Sequence, residues 1–301
     1  MQSASPPYPP LSLATRVCSL ENRGDPYVAY EQLGAEAKAA IVEMLPDAWA
    51  FKGKRVLDFG CGAGRTLRQF LAEGAGGTEL WGCDIDAASI EWLNANLSPL
   101  VNAFRNGVDP PIAFDDGSFD LIWALSVFTH LTENSLPWLA ELHRVLTPGG
   151  LLIATYMGRY NGEVFTQEPW DEDRIGMNVL RSYQGWEDGG PMVLMSDWWV
   201  CAHWGRAFEI VASVPVHGQT WVLLRKRDVE ITVAGLAEPS NDPREYLALR
   251  HNLRQVERDF ARALGELKDE YEHSLSWRAT RPLRKAAAYL RSQRQLRSRG
   301  T

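Results

Sequence analysis

The residues of this sequence best suited to bind a ligand are three glycines at alternate positions and two aspartates. Each aspartate ends a short apolar run. Gly60, Gly62 and Gly64 follow a run that ends at Asp58, and a second run ends at Asp84. Glycine here allows positive φ angles and lets a ligand approach the backbone without meeting a Cβ. A carboxylate at the second position can accept both hydroxyls of a ribose. The pattern predicts a nucleotide pocket at the carboxyl ends of two parallel strands.

The glycine spacing excludes two other nucleotide-binding loops. A dinucleotide fingerprint, G-x-G-x-x-G, would need its third glycine at Arg65 or Leu67, and no G-x-x-x-x-G-K-[ST] loop occurs. Asp84 taken alone would also suit NAD, so the glycine turn is what separates the two readings. A helix predicted to begin near Thr66 would offer free N–H groups and a positive dipole end to an anionic group.

Further elements follow in the order of an alternating β/α sheet. The string DGSFDLI, 116–122, predicts a turn into an apolar strand, and Ser126 to Leu131 would then lie at the carboxyl edge of the sheet. Residues 138–146 have helical periodicity and end at Thr147-Pro148-Gly149-Gly150, and Leu151 to Thr155 would form the next strand. Phe208 to Val214 and Gln219 to Arg225 are predicted to complete the sheet as an antiparallel pair.

Together, the strings VLDFGCGAG, Asp84, DGSFDLI and LTPGG resemble the class I S-adenosylmethionine (SAM)-dependent methyltransferases over roughly Val56 to Thr155. The resemblance implies an α/β, Rossmann-like fold with a seven-stranded, mostly parallel sheet and helices on both faces. It implies SAM as the cofactor and S-adenosyl-L-homocysteine as the product. The cofactor contacts that it implies are Asp58, Gly60, Cys61, Gly62, Gly64, Asp84, Ile85, Asn106, Gly107 and Ser126.

Adenine is the part of the cofactor whose binding residues are hardest to assign. The resemblance implies an aspartate at the end of the third strand, where this sequence has Asn106 followed by Gly107. An asparagine can accept from the adenine amino group through its carbonyl oxygen. Asp109 is the alternative if the register is shifted, and Ile85 is expected against the adenine face.

His130 is the candidate general base, because it follows the fourth strand at the edge that carries the cofactor and an imidazole titrates near neutrality. The alternative is that His130 only shapes the pocket. His203 and His217 are weaker candidates, and His143 is expected to face solvent. No group of residues has the spacing of a metal site, so no metal is predicted.

Residues 156–204 form an insertion rich in tryptophan and tyrosine, interleaved with acids. Flat rings beside carboxylates are suited to bind a sugar. The candidates for acceptor contact are Tyr156, Trp170 and Trp199. The alternative for most of these rings is a lid core packed over the sheet.

The sequence pattern divides the chain into three parts. Residues 1–24 are expected to be a flexible arm, 25–228 the methyltransferase domain, and 239–301 a helical extension. Within the extension, 246–271 carries about three heptads of apolar residues, which either bury themselves on the domain or pair with a second copy as a homodimer. The basic segment 278–299 can lie on an anionic membrane surface or form a solvated tail.

Composition narrows the partners and the compartment. The net charge of −7 argues against general polyanion binding, although 278–301 holds eight basic residues and no acid. Dispersed cysteines and an N-terminus without an apolar signal run predict a cytoplasmic protein, with the basic segment as a candidate contact at the inner membrane face. No N/D-P-P-Y/F string follows the fourth strand, so base methylation and specific nucleic-acid binding are disfavoured.

Three functions follow from these patterns. The first is O-methylation of a sugar hydroxyl in a glycan or glycolipid, which a C-terminal SWRATRPLR string favours, since it resembles a segment of bacterial polysaccharide-biosynthesis proteins. The second is O- or N-methylation of a free small metabolite. The third is a SAM-binding scaffold with little turnover.

Overall fold

A seven-stranded sheet organises the chain. The computed structural model describes residues 6–17, 24–185, 189–216, 218–280 and 282–284. The strands within them are β1 (Arg55–Phe59), β2 (Glu79–Asp84), β3 (Val101–Arg105), β4 (Phe119–Ala124), β5 (Leu146–Tyr156), β6 (Met177–Leu180), β7 (Met192–Met195), β8 (Phe208–Val216) and β9 (Gln219–Lys226). The large sheet has the order β3-β2-β1-β4-β5-β9-β8, and β6 pairs with β7 separately.

The strand directions confirm the predicted fold class. Strands β3, β2, β1, β4 and β5 are parallel, whereas β9 is antiparallel to both β5 and β8. The parallel strands are apolar on both faces, as buried parallel strands are. Val56 packs into the core on one face of the sheet, and Leu57 packs into the core on the other.

Helices cover both faces of the sheet, as the resemblance implies. The helices are α1 (Leu11–Ala14), α2 (Pro26–Met44), α3 (Leu71–Ala75), α4 (Ala87–Asn96), α5 (Ser135–Val145), α6 (Arg159–Thr166), α7 (Asp197–His203), α8 (Val233–Ala237), α9 (Arg244–His273) and α10 (Leu275–Ala279). α2 and α4 pack on the face of Val56, while α5, α7 and α8 pack on the face of Leu57. Asp25 caps α2 by accepting from the Tyr27 backbone, and Asp86 caps α4.

The segment after the glycine turn differs from the predicted helix. A 3-10 turn, Leu67–Phe70, comes first, and α3 follows it. His143, expected to face solvent, is instead buried on α5, where its Nε2 lies 3.1 Å from the Arg227 carbonyl oxygen. The ring packs edge-on against Phe208 at 5.3 Å, so this side of α5 faces the core.

The N-terminal segment is not a free arm where the structure describes it. Arg68 donates to the carbonyl oxygens of Pro6 and Pro7 at 3.0 and 3.1 Å. Its guanidinium lies 4.5 Å from the Tyr8 ring centroid, and Tyr8 stacks on Tyr27 at 5.0 Å. The described part of the predicted arm, 6–17, thus contacts the domain through a nearly buried arginine and two aromatic rings.

The 156–204 insertion packs as a small subdomain that α9 holds in place. Two backbone N–H groups at the outer edge of β6, that of Val179 and that of Arg181 directly after the strand, are not used by β7. Asn252 accepts from the Val179 N–H at 2.8 Å, and Asp259 accepts from the Arg181 N–H at 3.1 Å. Ala248 is buried on the same side of α9. This side of the helix faces the domain, and it is not the side of the predicted apolar heptads.

Substitution of Gly64 tests how closely the glycine turn packs against its neighbours. We expect Gly64→Ala to lower the free energy of unfolding by about 3 kcal/mol, because φ is +77° and a Cβ would lie 2.4 Å from Leu93 Cδ2. Gly53→Ala is a matched control, since its φ is also +77° but nothing lies within 4 Å, and it should cost only about 1 kcal/mol. Urea titration of both variants measures the difference, and equal losses would show that the contact with Leu93 costs nothing.

Candidate cofactor and acceptor site

A cavity of about 340 Å³ opens at the carboxyl ends of β1, β2 and β4. Its size falls within the range of small-molecule sites. The predicted residues that line it are Asp58, Gly60, Cys61, Asp84, Ile85, Asn106, Gly107, Ser126 and His130. The sheet topology brings these residues together because all of them follow parallel strands that end at one edge.

Asp84 links the two loops that the sequence singled out. One carboxylate oxygen accepts from the Gly62 N–H at 2.7 Å, and the other accepts from the Asp86 N–H at 2.9 Å. Burial raises the pKa of Asp84, and these two backbone donors counter part of that rise. The carboxylate keeps lone pairs to accept hydroxyl groups from the cavity.

Gly62 and Gly64, predicted as cofactor contacts, do not line the cavity. Gly62 acts through its N–H on Asp84, whereas Gly64 lies against Leu93 of α4. Gly60 does line the cavity, with φ at +81°, and a Cβ there would lie 2.4 Å from Val127 Cγ2. The glycine turn therefore serves packing and orientation as well as ligand approach.

Asn106 is placed to bind a group at the adenine end of the cavity. Its backbone N–H donates to the Asp84 carbonyl oxygen at 3.1 Å, which fixes the loop. Its side-chain Nδ2 donates to the Gly107 carbonyl oxygen, so Oδ1 is the atom available as an acceptor. That Oδ1 is buried and has no hydrogen-bond partner in the described part of the chain. Asp109, the alternative, instead accepts from Asn134.

His130 has a fixed orientation on the wall of the cavity. Its Nδ1 lies 2.8 Å from the Pro191 carbonyl oxygen, which can only accept. Nδ1 therefore carries the proton, and Nε2 is the basic nitrogen of the neutral ring. The partner carbonyl belongs to the insertion, so the lid sets the tautomer of the candidate base.

Ser126 connects the cavity with the antiparallel end of the sheet. It has a left-handed backbone, with φ at +59°, and its N–H donates to Thr155 Oγ1 at 2.7 Å. Its hydroxyl and the Gln219 amide share a hydrogen bond at 3.0 to 3.2 Å. A polar pair therefore lies where Ser126 forms part of the cavity wall.

The three aromatic residues predicted for acceptor contact are used elsewhere. Tyr156 is buried and donates to Asp197 at 2.7 Å, and Trp199 is buried and stacks on His203 at 4.4 Å. Trp170 donates through Nε1 to Glu172 at 2.5 Å and packs on the small core beside β6 and β7. In the described chain none of the three lines the cavity, because Tyr156 and Trp199 are buried in the core and Trp170 packs against a separate small core.

The sequence patterns do not predict two cationic side chains of the cavity, Arg65 and Arg16. Arg65 directly follows the glycine turn, and Arg16 reaches the cavity from the N-terminal segment, where it pairs with Asp86 at 3.0 Å. The position of Arg65 beside Gly64 could have indicated it. Nothing in the sequence marks Arg16, whose position depends on the docking of 6–17.

The remaining histidine candidates are not at the cavity. His203 is buried, with Nδ1 2.8 Å from the Leu236 carbonyl oxygen and Nε2 3.1 Å from Glu245, which is a structural arrangement. His217 lies outside the described residues. A larger groove of about 710 Å³ is lined by Arg144 and Lys226, but Glu141 and the Leu146 carbonyl oxygen already bind these cations.

Comparison with known proteins agrees with this geometry. Residues 56–150 match the family model described as "Methyltransferase domain". The chain carries a class I SAM-dependent methyltransferase domain. A ubiquinone biosynthesis O-methyltransferase of Cereibacter sphaeroides is 30% identical over 131 residues, which is 43% of this chain and 50% of the relative. A chloroplastic tocopherol O-methyltransferase of Arabidopsis thaliana is 27% identical over 168 residues, 50% of this chain and 47% of the relative.

A solved structure shares the fold. It is described as an S-adenosylmethionine-dependent methyltransferase from Listeria monocytogenes, with a TM-score of 0.50 and 15% identity, covering 65% of this chain and 99% of that one. The chain spans about half the length of the curated relatives that it matches. The domain is therefore shared, while the extension and the insertion lie beyond the family match.

SAM is the cofactor of this domain class, and the cavity fits it. Asp84 can accept the ribose hydroxyls, and the buried Asn106 Oδ1 can accept the adenine amino group. Asp58 would supply a carboxylate for the cationic part of the cofactor, and Arg65 would supply a cation for its carboxylate, since both line the cavity. The domain thus has an acceptor or donor for each polar part of SAM.

Asp58 makes cofactor binding depend on pH. Burial raises its pKa to about 7, although the Arg65 guanidinium counters the rise. The raised pKa stabilises the fold below pH 4, and this stability is lost as the pH rises towards 7. The ionised form attracts the positive cofactor, so the Kd for SAM should fall about tenfold between pH 6 and pH 8. Calorimetry at both values measures this change, and Asp58→Asn should abolish it. An unchanged dependence in that variant would assign it to another group.

Proposed function

We propose that this protein transfers a methyl group from SAM to a hydroxyl oxygen, with His130 as the general base. The observation that carries the proposal is that His130 lines the same cavity as Asp84 and Asn106, with Nε2 as its basic nitrogen. SAM supplies an activated methyl group on a sulfonium. The chain must therefore hold the acceptor oxygen in line and take its proton.

The first acceptor class is a sugar hydroxyl of a glycan or glycolipid. One exposed ring supports it better than the three assigned from the sequence. Tyr160 is 65% exposed and lies against Gly218, next to Gln219, which is hydrogen-bonded to Ser126 on the cavity wall. A flat ring can stack on a sugar face while the Ser126 and Gln219 side chains hydrogen-bond its hydroxyls.

A free small metabolite is the second acceptor class. The relatives named as O-methyltransferases of ubiquinone biosynthesis and of tocopherol support it, since their names imply phenolic or quinol hydroxyls. The third function, a SAM-binding scaffold with little turnover, has less support, because a scaffold has no need for a fixed histidine tautomer at the cofactor cavity.

Labelled SAM separates these functions. The purified protein is incubated with labelled SAM and three separate pools: soluble glycans, lipid-linked sugars, and phenolic or quinol metabolites. We expect label in a glycan or lipid-linked sugar product that mild alkali does not release as methanol, which distinguishes a methyl ether from a methyl ester. Label only in a phenolic product would replace the first class by the second. SAM binding without turnover in any pool would favour the scaffold.

Tyr160 tests the acceptor surface directly. We expect Tyr160→Ala to raise KM for the glycan acceptor roughly tenfold through lost stacking, with the Kd for SAM unchanged. Tyr183→Ala is the matched control, because it is another exposed tyrosine of the insertion and is not among the described neighbours of Gly218. Steady-state kinetics with varied acceptor give both values. An unchanged KM in Tyr160→Ala would remove this ring from the acceptor site.

The location of the protein is part of the proposal. We infer a cytoplasmic protein whose basic segment, 278–299, contacts anionic lipid at the inner membrane face; most of that segment lies outside the described residues. Among the described residues, no helix has both the length and the apolar character that crossing a bilayer requires.

A further inference from the structure

Helix α9 leaves a long apolar surface uncovered. Six of its large side chains are between 54% and 68% exposed: Leu249, Leu253, Phe260, Leu264, Leu267 and Tyr271. They lie on a helix of 30 residues, about 45 Å long. Soluble proteins rarely expose a continuous apolar surface of this length without a partner. We call these six residues, with Val256 and Ala263 between them, the seam.

The seam is not the side of α9 that packs on its own domain. Asn252 and Asp259 bind the backbone of β6, and Ala248 is buried beside them. Since an α-helix turns 100° per residue, these three residues and the seam lie on neighbouring sides of α9. The domain can therefore hold one side while the seam remains open to another molecule.

We propose that the seam pairs with the seam of a second copy of this chain, with the two α9 helices antiparallel. The steps of three and four between its apolar residues are the repeat by which helices pair through knobs and holes. Its side chains can remove roughly 600 to 700 Å² from water on each copy, close to the ~800 Å² per partner of a stable interface. A symmetric dimer uses the same surface twice, so one seam is sufficient.

The charge along α9 selects the antiparallel direction. Residues 244–262 hold five arginines against three acids, a net charge of +2, whereas 263–273 hold one lysine against four acids, a net charge of −3. An antiparallel pair places the basic half of each helix beside the acidic half of its partner. A parallel pair would place like charges side by side, and it would also align the two helix dipoles unfavourably.

The heptad spacing fixes the register of that pair. With Phe260 on the two-fold axis, Leu253 of one copy lies opposite Leu267 of the other, because each is seven residues from the axis. Val256 then lies opposite Leu264, and Leu249 lies opposite Tyr271. Every large residue of the seam thus meets an apolar partner.

Light scattering over a range of concentrations tests the pairing, and it needs no acceptor or activity. We expect twice the chain mass of 33.8 kDa for the full chain. The double variant Leu253→Asp/Leu267→Asp should be monomeric with unchanged circular dichroism. Ala261→Asp is the control, because it adds an aspartate at an exposed position of α9 outside the seam, and it should remain dimeric. A monomeric full chain, or a dimer in the double variant, would overturn the proposal.

Disulfide formation tests the direction. In a Cys18→Ser/Cys201→Ser background, which removes the exposed Cys201 thiol and the thiol of Cys18 outside the described residues, Leu253→Cys and Leu267→Cys are made as separate proteins. An antiparallel pair should form a disulfide only when the two variants are mixed, because the two thiols then face each other. Disulfides within each variant alone, and none specific to the mixture, would establish a parallel pair and refute the antiparallel one.

Discussion

Asp84→Ala should weaken SAM binding about 100-fold. The carboxylate is expected to accept both ribose hydroxyls, and each charge-assisted hydrogen bond contributes about 1.5 to 3 kcal/mol. The same side chain also fixes the Gly62 and Asp86 backbone N–H groups, so its loss loosens both loops around the cavity. Titration calorimetry with SAM measures the change.

Glu79→Ala is the control for this variant. Glu79 lies at the opposite end of β2, where it is exposed and pairs with Arg55 at 2.7 Å. Its removal deletes an acid from the same strand without touching the cavity, and SAM affinity should stay within about twofold, since an exposed ion pair contributes little. If both variants bind SAM as the wild type does, the cavity is not the cofactor site.

His130→Ala should reduce kcat by a factor of about 10² to 10⁴ while leaving the Kd for SAM nearly unchanged. The reason is that Nε2 is expected to accept the proton of the acceptor hydroxyl, a step that does not take part in cofactor binding. Single-turnover kinetics with saturating SAM measure the chemical step. A variant that keeps full activity would reduce His130 to a residue of the cavity wall.

Two comparisons separate a base from a packing residue. His251→Ala is the matched control, because His251 lies on α9, near Arg174 and outside the cofactor cavity, and this variant should retain kcat. In His130→Ala, residual activity should rise with pH when the acceptor oxygen itself ionises, since external base then replaces the side chain. A flat profile with equally low activity would indicate that the variant disturbs the cavity.

The sheet and the residues that line the cofactor cavity could be predicted because local sequence patterns determine them. The acid-closed strands, the glycine turn and the run into β4 each depend on a few adjacent residues, and parallel topology then places their ends together. Asp84, Asn106 and His130 follow from this logic. Arg65 could have been predicted in the same way, from its position beside Gly64.

The acceptor side could not be predicted, because burial there depends on contacts between distant segments. Tyr156 and Trp199 are residue types suited to a sugar site, yet on β5 and α7 their side chains lie in the core. Tyr160, which follows Tyr156 by four residues in the sequence, is exposed. Arg16 reaches the cavity only because Arg68 holds the N-terminal segment 6–17.

The contacts between α9 and β6 also protect the protein against unwanted association. A strand at the edge of a small sheet offers unpaired backbone donors to any extended chain, which can add as a further strand. Here Asn252 and Asp259 occupy the Val179 and Arg181 donors, so an incoming chain finds no ladder to extend. The helix that carries the seam thus closes one route to aggregation with its polar side, while its apolar side remains available for a specific partner.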